Sequence, residues 1–519
     1  MIRFAFFLFS LLLVAALTGP VRSAEPAERP GRGFADITKE SGVDDIVTTH
    51  YKNVPKWWLS GMDLIDIDGD GHLDLFLGAH GMESGAARGD GKGHFTYVEP
   101  KLGTERKRGG DLPYPGNEEM IAYDWDEDGR LDMEVTYQDG GGQWWKNFSK
   151  PGAWLFKPTP YAFGGCRMNA VVDLDRDGKA DWITSAGERG GGFRLFRGKG
   201  DGAFAEPTNH PGSVGRFIDL NGDGSLDCIA TGGGYDKKDG DCRIYINDGK
   251  MNFAEKTKEC GLEPEGVTIT VVGDLNRDGS PDLICLEDHH SKFNLYLNDG
   301  KAHFTKKEGV LVGLEKGRRP IYGDWTQGVV TDFNNDGIAD VIMNGKCFLY
   351  VLRGTPEGTF EYMNKAWGIS ELATAAVNEG LCFGDINEDG MLDIVACAGD
   401  PDKNKRVGVY RNDLVKKNWV RVRPVGVPGN RGAAGTVIKL FDPRASGEKL
   451  LWSEQVLFWG RQSSHSYYQW PTTERHFGLG DLDKVNVRVQ FYPSGKKVEK
   501  KGVAANKIVT VSEEGPQTQ

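Results

Sequence analysis

Short apolar runs rich in β-branched residues alternate with polar turns along most of the chain. Runs such as LDLFLG at 73–78 and LDIVAC at 392–397 are too short for helices and have the composition of strands. Each follows a nine-residue stretch crowded with aspartate, and another apolar run, such as NAVVD at 169–173, leads into that stretch. A third run ends in a tight turn, as in RIYINDGKMNF at 243–253, and a short fourth run follows. The pattern predicts units of four antiparallel strands.

The aspartate-rich stretch occurs seven times, and successive copies start 58, 49, 46, 55, 58 and 53 residues apart. Seven four-stranded units at this spacing predict an all-β fold, a seven-bladed β-propeller. The seventh unit ends after its third strand at 407–413, whereas residues 34–43 have the pattern of a fourth strand. We therefore expect the N-terminal segment to complete the seventh blade and join the ends of the ring, so that no edge stays exposed.

The seven stretches, called loops 1 to 7, share one arrangement of oxygen-bearing side chains. Positions 1, 5 and 9 are Asp, position 3 is Asp or Asn, and position 6 is always Gly, which a sharp turn requires. Calcium takes six to eight oxygen ligands, which these side chains and the position 7 carbonyl would supply. The pattern predicts up to seven structural calcium ions in hairpin loops and no other cofactor. The expected ligands are Asp66, Asp68, Asp70 and Asp74 in loop 1; Asp124, Asp126, Asp128 and Asp132 in loop 2; Asp173, Asp175, Asp177 and Asp181 in loop 3; Asp219, Asn221, Asp223 and Asp227 in loop 4; Asp274, Asn276, Asp278 and Asp282 in loop 5; Asp332, Asn334, Asp336 and Asp340 in loop 6; and Asp385, Asn387, Asp389 and Asp393 in loop 7.

The EF-hand is a rival source of closely spaced aspartates, but it needs a glutamate at position 12 and flanking helices. Position 12 of the seven copies is Leu77, Val135, Thr184, Ala230, Cys285, Met343 and Ala396. A plain Asp/Gly hairpin turn without metal would explain one copy, but not the same oxygen pattern seven times. A metal site in a strand-loop-strand unit is therefore the favoured interpretation.

Composition and charge agree with a globular, metal-loaded protein. Of the 519 residues 72 are glycine, yet 39% are hydrophobic, which is enough for a packed core. The formal net charge of −12 becomes about −14 when Arg3 and Arg22 leave with a predicted signal peptide. Seven divalent ions would balance that excess, so we interpret the acidity as a metal-loading signature. No basic stripe is present, which argues against nucleic acid as a partner.

Residues 1–24 have the pattern of a secretory signal peptide, with a positive start, an apolar run at 4–17 and a small-residue cleavage site. A membrane anchor is the alternative, but no second apolar run of spanning length follows. We expect a secreted, extracellular protein, periplasmic in a bacterial host, with no membrane span after cleavage. Eight cysteines permit disulfides there, for example Cys228 with Cys242 or Cys382 with Cys397, and buried free thiols are an equal alternative.

With their DxDxDGxxD loops, the repeats over residues 33–413 resemble the FG-GAP or VCBS repeats of integrin-like seven-bladed propellers. The motifs GNRGAAG at 429–435, HFGLG at 476–480 and FYPSG at 491–495 make residues 419–512 resemble the ASPIC/UnbV domain. A propeller followed by this domain is the arrangement of cartilage acidic protein 1-like proteins. The resemblance implies a secreted, calcium-loaded protein of the extracellular matrix or cell surface, with no established reaction for the C-terminal domain.

Alternating apolar and polar residues, as in KVNVRVQFY at 484–492, predict that the C-terminal domain is a small β-sandwich or barrel. Residues 513–519 are polar, and we expect them to form a disordered tail. The predicted organisation is therefore a signal peptide at 1–24, the propeller at 33–413, the β domain at 419–512 and the tail.

Ligand binding is expected on the face opposite the calcium loops, where the connections between second and third strands and between blades open. Exposed aromatic and basic side chains there are candidate contacts, although ordinary strand-end packing explains them equally well. They are Trp57, Trp58, Trp325, Arg318 and Arg319, with His289 and His290 as a weaker pair. A cluster in the C-terminal domain is a further candidate pocket, formed by His465, Tyr467, Tyr468, Trp470 and His476.

Short motifs of nucleophilic, zinc-dependent and nucleotide-binding catalysis do not occur in the sequence. We therefore expect a secreted calcium-binding propeller that acts as an adhesion or ligand-binding scaffold for an extracellular glycan or protein. The alternative is an extracellular carbohydrate-active enzyme, a polysaccharide lyase or hydrolase, on the same calcium-stabilised propeller. A purely structural envelope component is a third hypothesis.

Overall fold

The structure is a computed structural model that describes most of the chain, largely as β-strands. The described residues are 33–50, 59–79, 85–98, 117–137, 142–163, 168–185, 193–210, 215–232, 241–287, 292–313, 327–345, 348–369, 381–398, 406–461 and 474–515. The predicted signal peptide lies outside them. Among these residues, no helix has the length and apolar character needed to cross a membrane.

The N-terminal segment contains a strand and a helix rather than one long strand. Strand β1 covers Phe34–Asp36, and helix α1 covers Val43–His50. Val43, Ile46 and Val47 are buried and lie on one helical face, at the i, i+3, i+4 spacing of an amphipathic helix. The expected fourth strand at 34–43 is therefore shorter than the sequence pattern indicated.

Within the described residues the repeats form seven four-stranded antiparallel units, called blades 1 to 7. Blades 1 and 2 contain β2 (Leu59–Ile65), β3 (Asp74–Ala79), β4 (Gly85–Gly89) and β5 (Phe95–Val98), then β6 (Asn117–Tyr123), β7 (Asp132–Tyr137), β8 (Gly142–Asn147) and β9 (Phe156–Phe163). Blades 3 and 4 contain β10 (Met168–Val172), β11 (Asp181–Ser185), β12 (Phe193–Phe196) and β13 (Thr208–His210), then β14 (Arg216–Ile218), β15 (Asp227–Gly232), β16 (Asp241–Asn247) and β17 (Phe253–Glu255).

The remaining blades continue the same order. Blade 5 contains β18 (Val267–Gly273), β19 (Asp282–Glu287), β20 (Lys292–Asn298) and β21 (Phe304–Lys307). Blade 6 contains β23 (Gln327–Thr331), β24 (Asp340–Gly345), β25 (Phe348–Gly354) and β26 (Phe360–Tyr362), with β22 (Leu311–Val312) added parallel to β26. Blade 7 contains β27 (Leu381–Gly384), β28 (Asp393–Ala398) and β29 (Arg406–Asn412).

Strand β1 supplies the fourth strand of blade 7. It pairs antiparallel with β29, with Phe34 opposite Asn412 and Asp36 opposite Tyr410. The first strand of blade 1 also contacts the first strands of blades 2 and 7, so first strands line the centre of the ring. The predicted β-propeller and the pairing of its N-terminal segment with blade 7 are therefore confirmed.

Both faces of a blade are covered by its neighbours. Alternation along β8 directs the adjacent Trp144 and Trp145 to opposite faces, yet both indoles are buried, in different apolar clusters. The register of blade 4 likewise places Cys228 opposite Tyr245, and Cys242 opposite Thr231, so these two cysteines are not cross-strand partners.

The C-terminal residues form two further sheets. One has the order β34 (Arg475–Gly480), β30 (Asn418–Val425), β37 (Lys507–Ser512), and the other has the order β32 (Leu450–Gln455), β31 (Val437–Phe441), β35 (Lys484–Gln490), β36 (Lys497–Ala504). Inward-facing residues such as Val420, Leu440, Phe477 and Val487 are fully buried in one cluster. The prediction of a small all-β C-terminal unit is confirmed.

One strand of the C-terminal region joins the propeller itself. Strand β33 (Phe458–Arg461) pairs antiparallel with β10, the first strand of blade 3, with Val171 opposite Phe458 and Met168 opposite Arg461. It also contacts β6, the first strand of blade 2. The C-terminal region therefore reaches into the centre of the ring, and the two predicted domains share a sheet.

Candidate metal centres

The backbone of each loop holds the first carboxylate in a fixed place. In all seven loops the position 6 glycine donates its N–H to the position 1 aspartate over 2.7–3.0 Å. These glycines have φ values of 82–95°, in the left-handed region that favours glycine. The sharp turn predicted at position 6 is confirmed.

The position 5 aspartate is fixed in a similar way. One of its oxygens accepts the N–H of position 7 in every loop, over 2.7–3.1 Å. The two carboxylates therefore need no packing from distant residues to hold their orientation, because the turn itself supplies the hydrogen bonds.

Several predicted ligands converge in loops 1 to 3. Ligand oxygens of Asp66, Asp68 and Asp70 lie within 4.8 Å of one another, as do those of two further groups. The further groups are Asp124, Asp126 and Asp132, and Asp173, Asp175 and Asp181. Like charges at such distances repel one another unless a proton or a cation separates them.

Buried carboxylate oxygens without a hydrogen-bond partner point to a cation. Asp68 is only 3% exposed, and its Oδ1 has no partner among the described residues. Oδ1 of Asp124 in loop 2 likewise is buried and has no hydrogen-bond partner among the described residues. A buried, unpaired carboxylate oxygen is costly, and a hard divalent ion with oxygen ligands is the partner that such a donor set fits.

Burial also raises the pKa values of these aspartates. Desolvation is the largest cause, and it raises the pKa of Asp124 to about 6, that of Asp74 to about 7 and that of Asp132 to about 8. Neighbouring loop carboxylates raise each pKa further, whereas backbone hydrogen bonds lower it. In the absence of a cation, protons would therefore occupy part of these loops near neutral pH.

The position 9 aspartate joins the loop to the rest of its blade. One oxygen accepts the N–H of loop position 2 over 2.9–3.2 Å. The other accepts an N–H at the end of the third strand over 2.7–3.0 Å. The geometry gives this residue a backbone-bridging role in addition to the ligand role that remains a prediction.

Asparagines at the ends of third strands connect neighbouring blades, and the sequence analysis missed them. The side-chain amide of Asn298 in blade 5 donates to the Leu220 carbonyl in loop 4 at 2.9 Å. Asn147 and Asn412 make the equivalent bonds to loops 1 and 6, both at 2.8 Å. The available signal for Asn298 was its Asn-Asp-Gly turn, but Asn147 and Asn412 are followed by Phe148-Ser149 and Asp413-Leu414, so no common motif marks the three residues.

Position 4 is the second feature that the sequence analysis missed. Its φ is 53–76° in every loop, although five of the seven residues are not glycine. An L-residue in this region costs about 1 kcal/mol, so tertiary contacts have to hold it. At least four of these side chains make such contacts, and Arg277 of loop 5 donates to the Gly337 carbonyl of loop 6 at 3.4 Å. Glu388 lies 2.6 Å from His72 of loop 1, while Glu127 and Asn335 contact the C-terminal domain.

The C-terminal domain lies against the end of the propeller that carries the seven loops, called the loop face. Glu127 in loop 2 accepts the Gly429 N–H at 2.6 Å, and Oδ1 of Asn335 in loop 6 accepts a hydrogen bond from Nε2 of His476 at 2.7 Å. Further contacts reach loops 3, 4, 5 and 7; they are Ala180 to Gly429, Asp219 to Gln455, Gly279 to Lys439, and Asp385 to Arg421. Six of the seven loops thus take part in docking within the described residues.

A cavity of about 330 Å³ remains between the domain and the centre of the ring. Its walls include the first strands of blades 4 to 6 and strand β32. Asp219 and Asp274, the first residues of loops 4 and 5, line it together with Lys439, Glu454 and Arg475. Arg475 is fully buried and lies 3.0 Å from Glu454, so opposite charges are balanced across this wall.

Comparison with known proteins agrees with the repeated loop. A family model described as an FG-GAP-like repeat matches residues 66–135, 219–285, 274–343 and 332–396. The chain carries FG-GAP-like repeats. The matched segments contain loops 1, 2 and 4 to 7, and the resemblance of the propeller repeats to FG-GAP repeats is confirmed.

Two curated relatives of this FG-GAP-like repeat protein align over about half of the chain. The T-cell immunomodulatory protein homolog of Plasmodium falciparum (isolate 3D7) is 26% identical over 279 residues, which are 49% of this chain and 36% of the relative. Cartilage acidic protein 1 of Homo sapiens is 24% identical over 304 residues, which are 54% of this chain and 41% of the relative. The alignments span about two fifths of the length of these relatives.

A solved structure of an Agrocybe aegerita lectin, described as recognising non-reducing terminal N-acetylglucosamine, is also similar. It is 19% identical, covers 68% of this chain and 91% of its own, and has a TM-score of 0.43. A similarity at that level does not support an argument about ligands.

Most of the predicted ligand contacts of the propeller and of the C-terminal domain lie outside the described residues. This holds for Trp57, Trp58, Trp325, Arg318, Arg319, His289 and His290, and for His465, Tyr467, Tyr468 and Trp470. His476 is described, and it is buried at the domain interface, where desolvation lowers the pKa of its imidazole. Its place is therefore in docking, against Asn335, within the part of the C-terminal cluster that the structure describes.

Proposed function

We propose that this chain is a secreted, calcium-loaded propeller that acts as a binding or adhesion scaffold for an extracellular glycan or protein. The observation that supports calcium most directly is the convergence of Asp66, Asp68 and Asp70 around a buried carboxylate oxygen without a partner. An ion in such a loop would supply positive charge, while the turn orients positions 1 and 5 and excludes water from the buried side.

The proposed binding surface is the face opposite the loops. The C-terminal domain occupies the loop face through contacts to loops 2 to 7, so a large partner would have to approach from the other end. The connections that open there vary in length and composition between blades, as binding loops on a rigid scaffold do. The similarity to cartilage acidic protein 1 supports an extracellular setting.

Removal of calcium tests the structural part of the proposal. Each site at 100 times its Kd stabilises the folded state by about 2.7 kcal/mol, so loss of several ions lowers Tm markedly. Thermal unfolding of a verified calcium-loaded sample is compared with the same sample after chelation and after calcium is returned. A melting curve that does not move on chelation would contradict the proposal.

A glycan and matrix-protein array, probed with and without calcium, tests the scaffold role. Saturable binding to one class of glycan or protein supports the proposal. Incubation with acidic and neutral polysaccharides serves as the matched test of the enzyme alternative. New reducing ends would identify the protein as a hydrolase, and unsaturated products would identify it as a lyase; either result would contradict the scaffold role. The absence of both binding and turnover would favour a structural component.

A further inference from the structure

The position 1 carboxylate of loop 7 already has a cation as its partner. Asp385 accepts the N–H groups of Asp389 and Gly390 at 2.9 and 2.8 Å, one on each oxygen. The guanidinium of Arg421, from strand β30, makes an ion pair with Oδ2 of the same carboxylate. The Asp385 side chain is 2% exposed and that of Arg421 is 17% exposed, so the pair is almost enclosed.

A second cation from the C-terminal segment reaches the same loop. Lys416 Nζ lies 3.1 Å from Oδ2 of Asp389, the position 5 residue. Position 3 is the neutral Asn387, so the three aspartates of loop 7 face two positive side chains. Loop 1, by comparison, has four aspartates and retains the unpaired Oδ1 of Asp68.

Basic side chains also approach loops 2 and 3, but at the outer positions. Lys146 pairs with Asp126 and Asp128, at positions 3 and 5 of loop 2, while Oδ1 of Asp124 at position 1 has no partner among the described residues. Arg197 contacts Asp175, at position 3 of loop 3. In loop 7 the cation lies instead at the buried position 1 carboxylate.

The fold of the C-terminal domain fixes Arg421 in this place. Val420 and Val422 are fully buried in the sandwich, so alternation along β30 directs Arg421 to the opposite side, towards the propeller. The guanidinium carbon lies 5.0 Å from the centre of the Trp419 ring, and a Cβ added to Gly390 would overlap that indole. The Trp419 indole therefore packs against both the guanidinium and the loop 7 backbone, which helps to hold the charge in place.

We infer that loop 7 is the docking socket of the C-terminal domain, in which the Arg421 guanidinium takes the place that a divalent ion has in the other loops. The inference rests on the proposed function for those other loops. A divalent ion in loop 7 would be repelled by the guanidinium and by the Lys416 ammonium, and it would have to displace the domain. Docking and ion binding are thus alternatives at this loop.

Counting bound ions by native mass spectrometry of the whole chain tests this inference. Asp385→Asn keeps one of the two backbone hydrogen bonds of position 1, because an amide nitrogen cannot accept the other, and should leave the number of calcium ions unchanged. The matched control Asp66→Asn, at position 1 of loop 1, should lower the number by one. Loss of one ion in Asp385→Asn would overturn the inference, whereas an unchanged number in Asp66→Asn or a wild type without ions would overturn the proposed function instead.

Cleavage by trypsin after Lys416 and Lys417 reports docking independently of the ion count. Arg421→Gln and Asp385→Asn should each accelerate this cleavage about tenfold or more in saturating calcium. The reason is that Arg421→Gln leaves the buried Asp385 carboxylate without its cation, and Asp385→Asn leaves the Arg421 guanidinium without its anion. The double variant should be cleaved no faster than the single variants, as expected for partners in one interaction. Additive effects of the two substitutions, or full protection of Arg421→Gln from trypsin by calcium, would refute the inference that loop 7 is the docking socket.

Discussion

Replacement of Asn298 by alanine should loosen the contact between blades 4 and 5. The side chain is buried, its amide donates to the carbonyls of Leu220 and Pro281 at 2.9 and 3.1 Å, and its Oδ1 accepts the Gly300 N–H at 3.0 Å. The Leu220 carbonyl keeps a bond from the Ala302 N–H, so its loss is partly offset. With about 1 kcal/mol for each net hydrogen bond, we expect the free energy of unfolding to fall by about 2–3 kcal/mol.

Calorimetry in saturating calcium measures this effect. A unit of roughly 380 residues has an unfolding entropy of about 0.8 kcal/mol/K, so the propeller transition should move down by about 3 °C. Asn252→Ala is the control, because among the described residues that exposed side-chain amide bonds only to Asp248, within a turn of the same kind. A shift in Asn298→Ala no larger than in the control would refute the bridging role of the asparagine.

Two further predictions concern the loops. Metal-free protein should lose stability as pH rises from about 4 to about 8, because burial raises the folded pKa values of Asp74 and Asp132 to about 7 and 8, and only the folded state then retains those protons. The Tm difference between calcium-loaded and stripped samples should therefore widen from pH 5 to pH 8, and a constant difference would contradict this reasoning. Gly224→Ala should lower the free energy of unfolding by about 1–2 kcal/mol through its φ of 82° alone, since an added Cβ there meets nothing within 4 Å. Gly447→Ala, equally open but without a positive φ, should change it by less than about 0.5 kcal/mol in the same urea titration.

The parts of the fold that sequence could predict are those set by local chemistry. The alternation of short apolar runs gives the strands, and the glycine at position 6 gives the turn, because both depend on neighbouring residues only. Closure of the ring was predictable because a missing fourth strand at one end matched an extra one at the other. Helix α1 was also within reach, since the spacing of Val43, Ile46 and Val47 was visible, but the expected strand ended at Val43 and no element was assigned to residues 44–50.

The docking of the C-terminal domain could not be predicted in this way. Strand β33 has no composition that distinguishes it from other short apolar runs, and its partner β10 already has a neighbour on its other edge. Position 4 is occupied by Gly, Glu, Arg or Asn, so no residue type marks its left-handed backbone or its contacts. Arg421 belongs to an ordinary alternating strand, and its docking role depends on Asp385, which lies 36 positions away in the sequence.

Because β1 pairs with β29, blade 7 can form only after almost the whole propeller has been synthesised. Phe34 leaves the ribosome long before Asn412, and at about 5–20 residues per second the interval is roughly 20 to 75 s. During that interval blade 7 does not exist, and until Phe333 and Trp367 are made, Phe34, which is buried in the finished ring, also lacks the two rings that it contacts. Ribosome-associated and compartment chaperones that shield apolar segments should therefore affect the yield of this protein more strongly than they affect its final stability.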